Sequence, residues 1–381
     1  MLQVEARIPE LDGIRAIAIW MVLLLHVFYG FKNPPGALDF LPGPISQILG
    51  HGWLGVDLFF LLSGFLITGI LLDTKEHPNY FRNFYLRRVL RIMPLYFTLV
   101  FIWACLYRGY RRYFLLSTVF GANLAPLFHI HAPHGPDVLW SLAVEEHFYL
   151  LWPAIVFLVS RRKLLLLCFV ILAGSPILRG FCASQGMNPE LIYNLSWFRF
   201  DGLAGGAVIA IWARSHYVTT KTAARLAVAL LSVLILMTLV GAHFGLLGTK
   251  TVAAVGLRYT QAYLGFGALF LLVFVHRGTK WTSLLRGRFM QLSGALSYCL
   301  YLIHLSLGDG YRYAMNHQHL VHLDPTMGIF ARAAFMLIAS FGIAMLSRRY
   351  LEGRFLGLKE RFASFVTSSP APPAESIKVA I

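Results

Sequence analysis

Charge is what this sequence has least of: only 13% of its 381 residues are Asp, Glu, Lys or Arg, against roughly 25% in a typical water-soluble domain. Hydrophobic residues make up 57% and fall in long blocks. That combination excludes a soluble globular enzyme, and also a disordered chain, which has to be polar. Cysteine is scarce as well. The four (Cys105, Cys168, Cys182, Cys299) lie mostly in apolar runs without metal-ligand spacing, and only Cys182 is expected to face outside. Disulfide and redox chemistry are therefore unsupported. Acidic residues number 17 against 33 basic ones, for a net charge of +16. The basic residues cluster in short segments between apolar blocks, as cytoplasmic loops do when they meet anionic headgroups. Membrane lipid is thus an expected partner and nucleic acid is not.

Apolar blocks and rings are plentiful, with 30 Phe, 17 Tyr and 8 Trp. A helix needs about 20 residues to cross a bilayer. Blocks of that size occur at 14–31, 53–72, 94–108, 141–159, 164–180, 198–213, 225–244, 255–275, 292–312 and 327–346. The first carries an arginine and a histidine and precedes no small-residue cleavage signal, so it reads as a span and not as a signal peptide. The stretch 114–130 could be an eleventh span or a helix lying at the surface. With the N-terminus in the cytoplasm and 114–130 not spanning, inner segments hold 22 basic residues and outer loops hold 6. This inside bias favours ten spans. The expectation is an all-α polytopic membrane protein of about ten transmembrane helices with both termini cytoplasmic. Residues 1–352 form a single transmembrane domain. Residues 353–381 form a cytoplasmic tail, disordered from about 367 where Pro, Ala and Ser dominate. No internal repeat of the transporter kind is visible.

Ionisable residues inside a membrane are expensive, so each needs a reason. Arg15 and His26 are separated by 11 residues, which places them on one helix face about 16.5 Å apart along the axis. Arg15 alone would pass for an inside anchor and His26 for a buried, hydrogen-bonded histidine. Their shared face favours a common site. Asp12 could cap this helix. The second span carries Asp57 near its outer end, with Ser63 and Gly64 mid-membrane; small residues there also suit close helix packing. The inner segment YFRNFYLRRVLRIMPLYF sets Arg82, Arg87, Arg88 and Arg91 among rings. It reads as a cytoplasmic stop signal or as a grip on a phosphorylated ligand. Glu145 and Glu146 enter the fourth span, flanked by Ser141, His147 and Tyr149, and Ser141 shares a face with Glu145. Later come Arg199 and Asp201 beside Gly202, Gly205 and Gly206, which could pack within one chain or between chains. Tyr301 and His304 share a face of the ninth span. Outer histidines (129, 131, 134, 317, 319, 322) lack the acidic and cysteine ligands of a zinc site, and no metal is expected.

Five ordered segments resemble the acyltransferase 3 family, the integral membrane sugar O-acyltransferases. They are Arg15-x10-His26, FFLLSGFLI (59–67), LRRVLRIMPLY (86–96), WSLAVEEHFYLLWP (140–153) and SYCLYLIH (297–304). The resemblance runs from Pro9 to about Glu352, with His147 where the family commonly has glutamine. It implies a ten-helix core in the plasma membrane, the inner membrane in a Gram-negative bacterium. It also implies transfer of an acyl group, acetyl by default, from cytoplasmic acyl-CoA to a hydroxyl of a sugar or glycan, possibly lipid-linked. Acyl-CoA is a substrate here, and no tightly bound cofactor is expected. By this resemblance Arg87, Arg88, Arg91, Arg15 and Tyr96 hold the nucleotide of acyl-CoA, and His26 is the general base. Glu145 or Glu146 supports the imidazolium. Ser63, Tyr149, Asp57, Ser141, Tyr301 and His304 are candidates for acceptor binding or oxyanion stabilisation. No SGNH domain is expected. Direct transfer is favoured over an acyl-enzyme, and oligomerisation stays open. The rival readings are a secondary transporter or flippase, which would use the same charges to bind substrate or carry protons, and an inactive scaffold.

Overall fold

The computed structural model describes residues 8–31, 38, 40–215, 219–246, 248, 251–317 and 325–362. Among the described residues there is no strand, and the α-helices follow in chain order. The first six are α1 (Pro9–Tyr29), α2 (Gly43–Gly50), α3 (Leu54–Asp73), α4 (Tyr80–Leu106), α5 (Arg111–Thr118) and α6 (Leu139–Leu158). Then come α7 (Arg161–Ser184), α8 (Pro189–Asn194), α9 (Phe200–Ala213) and α10 (Thr220–His243). The last are α11 (Val252–Val275), α12 (Arg288–His317), α13 (Pro325–Ser347) and α14 (Gly353–Phe362). Eight helices among the described residues are long and apolar enough to cross a membrane. The two other expected spans are helical too: α9 is apolar but short, and α12 is 30 residues long but more polar. The chain is a helical polytopic membrane protein. The tail beyond 362 lies outside the described residues, as do His319 and His322.

Two boundaries differ from expectation for physical reasons, and the ambiguous stretch 114–130 does not span, as expected. The segment read as an inner loop before Pro94 is helical from Tyr80 and continues through the proline as one 27-residue helix. Its Phe84, Arg87, Arg88 and Arg91 recur at helical spacing and so form one stripe. The 114–130 stretch is broken into α5 and a 3-10 segment, Ala122–Phe128, each too short to cross. The helix α1 starts at Pro9, so Asp12 is inside its first turn and pairs with Arg15 instead of capping. At the other end, α13 passes through a π turn (Arg348–Glu352) into α14, which packs on α4.

Glycines set the helix spacings. A Cβ on Gly64 would overlap the carbonyl of Leu203, and one on Gly206 would overlap the carbonyl of Leu61, so α3 and α9 cross backbone to backbone. Likewise Gly294 of α12 rests on the Asp12 carbonyl of α1. The glycine-rich face at 202–206 is therefore used within the chain. This close approach supplies the dispersion contacts that hold apolar helices together where no hydrophobic effect operates.

Beside the α3–α9 crossing lies a dry ionic cluster. Arg199 Nη2 donates to Asp57 Oδ1 at 2.8 Å, Tyr263 donates to the same oxygen at 2.7 Å, and Arg179 pairs with Asp201 at 2.8 Å. All four charged side chains are at most 1% exposed. The Arg199 guanidinium stands 3.9 Å from the centroid of the Tyr259 ring. Asp57, a candidate for acceptor binding in the sequence, is thus sealed inside a structural ion pair.

At the far end of α1 a polar clasp joins three elements. His134 bonds to Asp309 of α12 through Nδ1 at 2.9 Å and to the Gly30 carbonyl through Nε2 at 2.9 Å. Tyr107 donates to the other oxygen of Asp309. The hydrogen bond to the Asp309 carboxylate holds His134 above its ordinary value of 6.5.

Two measurements test this architecture. Gly206→Leu should lower the thermal midpoint in nanodiscs by forcing α3 from α9, an overpacking cost of about 1–3 kcal/mol or more. Gly174→Leu, where a Cβ meets open space, should leave the midpoint nearly unchanged. For the clasp, a raised histidine stabilises most when protonated. Its contribution is complete below pH 6.5 and fades as pH rises through the raised value. The stability gap between the wild type and Asp309→Asn should therefore narrow from pH 6 toward pH 9, and a gap that widens would contradict the ion pair.

Candidate active site

Five helices bring periodic polar stripes to one cavity. From α3 come Phe59, Ser63, Ile67 and Ile70; from α4 come Phe84, Arg87, Arg88 and Arg91. The helix α6 contributes Ser141, Glu145 and Tyr149, spaced four residues apart and so stacked on one face. Arg15 of α1 and Ser297, Tyr298, Tyr301 and Leu302 of α12 close the wall around a volume of about 240 Å³.

The charges in this wall are unevenly satisfied. Glu145 accepts from Ser63 Oγ through one oxygen and from the Tyr149 hydroxyl through the other, each at 2.9 Å. Arg88 lies over the rings of Phe84 and Tyr149 at 5.7 and 5.6 Å, and its Nε is buried without a hydrogen bond. Arg15 is held by Asp12 at 2.8 Å. Arg91 is exposed at the mouth. At the other end Ser141 donates to the Val138 carbonyl, so the Tyr301 hydroxyl, 2.7 Å away, donates to Ser141. The cavity is thus basic at one end and lined by a hydroxyl pair at the other.

Arg15, Arg87, Arg88, Arg91, Ser63, Ser141, Glu145, Tyr149 and Tyr301 meet in this cavity as the sequence suggested. Other candidates do not. Tyr96 is fully buried, stacked on Phe120 and donating to the Ser117 carbonyl at 2.7 Å, because it lies on the face of α4 turned away from the arginines. Glu146 turns out of the cavity wall, with its Oε1 buried and lacking a hydrogen bond. His26 is partly buried just beyond the wall, and its ring partner is neither glutamate. It is His304 of α12, with Nε2 3.1 Å from Nδ1 of His26. Ser297 and Tyr298 were missed as wall residues. Their signal was the same helical stripe that picked out Tyr301, read one turn earlier.

No solved structure matches this chain. Putative peptidoglycan O-acetyltransferase YrhL of Bacillus subtilis is 30% identical over 234 residues, 54% of this chain and 33% of that protein. Peptidoglycan O-acetyltransferase OatA of Listeria monocytogenes is 30% identical over 229 residues, 54% of this chain and 34% of that one. An uncharacterised Haemophilus influenzae protein is 32% identical over 182 residues, 41% of this chain and 74% of its own length. The chain therefore spans about a third of the length of the first two relatives. Residues 8–348 match the family described as an acyltransferase domain. That match covers nearly the whole chain, on the same motif-bearing helices that wall the cavity, and the protein belongs to the acyltransferase 3 family.

Proposed function

We propose that this protein transfers an acyl group, acetyl by default, from cytoplasmic acyl-CoA to a hydroxyl of a cell-envelope glycan at the plasma membrane, with His26 as general base. The observation that carries this reading is a cavity with its arginines gathered at one end. Three arginines of α4 and Arg15 line that end, and Tyr301, one turn before His304, lines the cavity as well. The names of the relatives, O-acetyltransferases of peptidoglycan, favour a glycan acceptor.

The phosphates would stay at Arg87, Arg88 and Arg91, where guanidinium forks match phosphate oxygens. The pantetheine arm would pass Ser63, Glu145 and Tyr149 toward the Tyr301–Ser141 pair. Arg15 and His26 lie about 16.5 Å apart along α1, a span comparable to that arm. Transfer then has a simple balance. The acceptor hydroxyl gives its proton to His26 as its oxygen attacks the thioester carbonyl. The carbon–sulfur bond breaks, and the leaving thiolate takes the proton back. Tyr301, whose hydroxyl needs only to leave Ser141, would donate to the oxyanion. Ser63 and Tyr149 are instead committed to Glu145, which gives that carboxylate a role in shaping the passage.

Turnover of acyl-CoA by the purified protein in nanodiscs, with a pool of envelope glycans and mass detection of products, tests the reading. His26→Ala should lower kcat by about 10²–10⁴-fold, the usual worth of a general base. Arg91→Ala should raise the KM for acyl-CoA about tenfold or more, since a charge-assisted hydrogen bond contributes ~1.5–3 kcal/mol. Glu145→Gln should impair turnover more than Glu146→Gln does. A protein that binds no acyl-CoA but moves glycan across the bilayer would be a transporter.

A further inference from the structure

We infer that His304 is a positioning residue that sets the ring plane of His26 and, together with the Val22 carbonyl, its tautomer, leaving its Nε2 as a bare lone pair. This inference rests on the reading of His26 as the base. The structural part follows from which atoms can donate. His304 is fully buried, and its Nδ1 lies 2.7 Å from the carbonyl oxygen of Tyr301 and 3.1 Å from that of Leu300. A carbonyl only accepts, so the proton of His304 is on Nδ1. The Nε2 of a neutral His304 is then a lone pair, and it points at Nδ1 of His26 at 3.1 Å. His26 must therefore carry its proton on Nδ1. The Val22 carbonyl, 2.9 Å from the same atom, demands the same assignment. Two acceptors converge on one hydrogen, and only Nε2 of His26 is left to take a proton. The opposite tautomer of His304 would face its Nδ1 lone pair into two carbonyl oxygens and its N–H into that of His26.

The ring plane is set as well. The imidazoles are 4.9 Å apart and inclined by 48°, which fixes the second torsion of His26 in a way the Val22 carbonyl alone does not. The register that makes them meet comes from farther along the same helix pair. Gly294 of α12 rests on the Asp12 carbonyl of α1, and Trp20 donates to Ser293 at 3.2 Å. The two helices run in the same direction from that seat, so His304 arrives beside His26. A neutral imidazole occupies the place that a carboxylate takes in a Ser-His-Asp triad. It orients the base and accepts from the imidazolium without adding a buried negative charge.

The test is nitrogen-15 spectroscopy of histidine-labelled protein in nanodiscs, with the His26 signals assigned by difference against His26→Gln. In the wild type His26 should show a protonated Nδ1 and an unprotonated Nε2. His304→Ala leaves the Val22 carbonyl to hold the Nδ1 proton, so it should keep that signature but free the ring plane and lower kcat about 10- to 100-fold, the usual cost of losing a ligand-orienting partner, with the KM for acyl-CoA changed less than twofold. His304→Gln, which restores an acceptor, should recover part of kcat. A wild-type His26 protonated on Nε2 overturns the inference even if no variant folds. So does a His304→Ala protein with unchanged kcat. An active His26→Ala protein would instead refute the role of His26 as base while leaving the tautomer assignment standing.

Discussion

An ionised side chain inside the hydrocarbon layer is costly unless another protein group faces it, and the arrangement of this bundle follows from how each such group is met. Asp57, Arg179, Arg199 and Asp201 neutralise one another in a sealed cluster with no access to substrate. Removing one partner there would strand a buried charge. The arginines of α4 are met differently. Arg88 rests on aromatic faces, and Arg91 reaches the exposed mouth. The first group is a structural post; the second is a cationic surface fit for an anionic ligand.

The post and the cavity share the helix α3. Gly64 presses against the backbone of α9, while its neighbour Ser63 turns into the cavity and donates to Glu145. Adjacent residues on a helix diverge by about 100°, so one turn of α3 serves both purposes. Rigid seating of Gly64 and Gly206 thereby fixes where Ser63, and through it Glu145, stands. A comparable division occurs on α12. Its residues one turn apart, Tyr301 and His304, face the cavity and His26 respectively. The helix is the shared wall between the two halves of the proposed reaction.

Much of the site was legible because helical periodicity is local. Residues spaced by three, four or eleven must share a face, which was enough to group Arg87 and Arg88 each with Arg91, Ser141 with Glu145, and Arg15 with His26. The misplacements share one cause. Tyr96 follows Arg91 in a motif but points from the opposite face of α4, where Ser117 and Phe120 hold it. Asp57 sits near Ser63 in sequence, yet its partner Arg199 is 142 residues away. The partner of His26 was sought among the glutamates because carboxylates most often orient imidazoles, and His304, 278 residues distant, occupied that place.

The sequence by itself determined the class of protein, the helical membrane bundle, the family and the composition of the arginine-lined mouth. Each of these depends on hydropathy, local spacing or contiguous motifs. Tertiary structure alone decided which polar groups form a static ion cluster, which glutamate enters the cavity, and which nitrogen of His26 is free. Those outcomes depend on the rotation and register of helices far apart in the chain. Glycine seats and single hydrogen bonds set that register, and no local pattern encodes it.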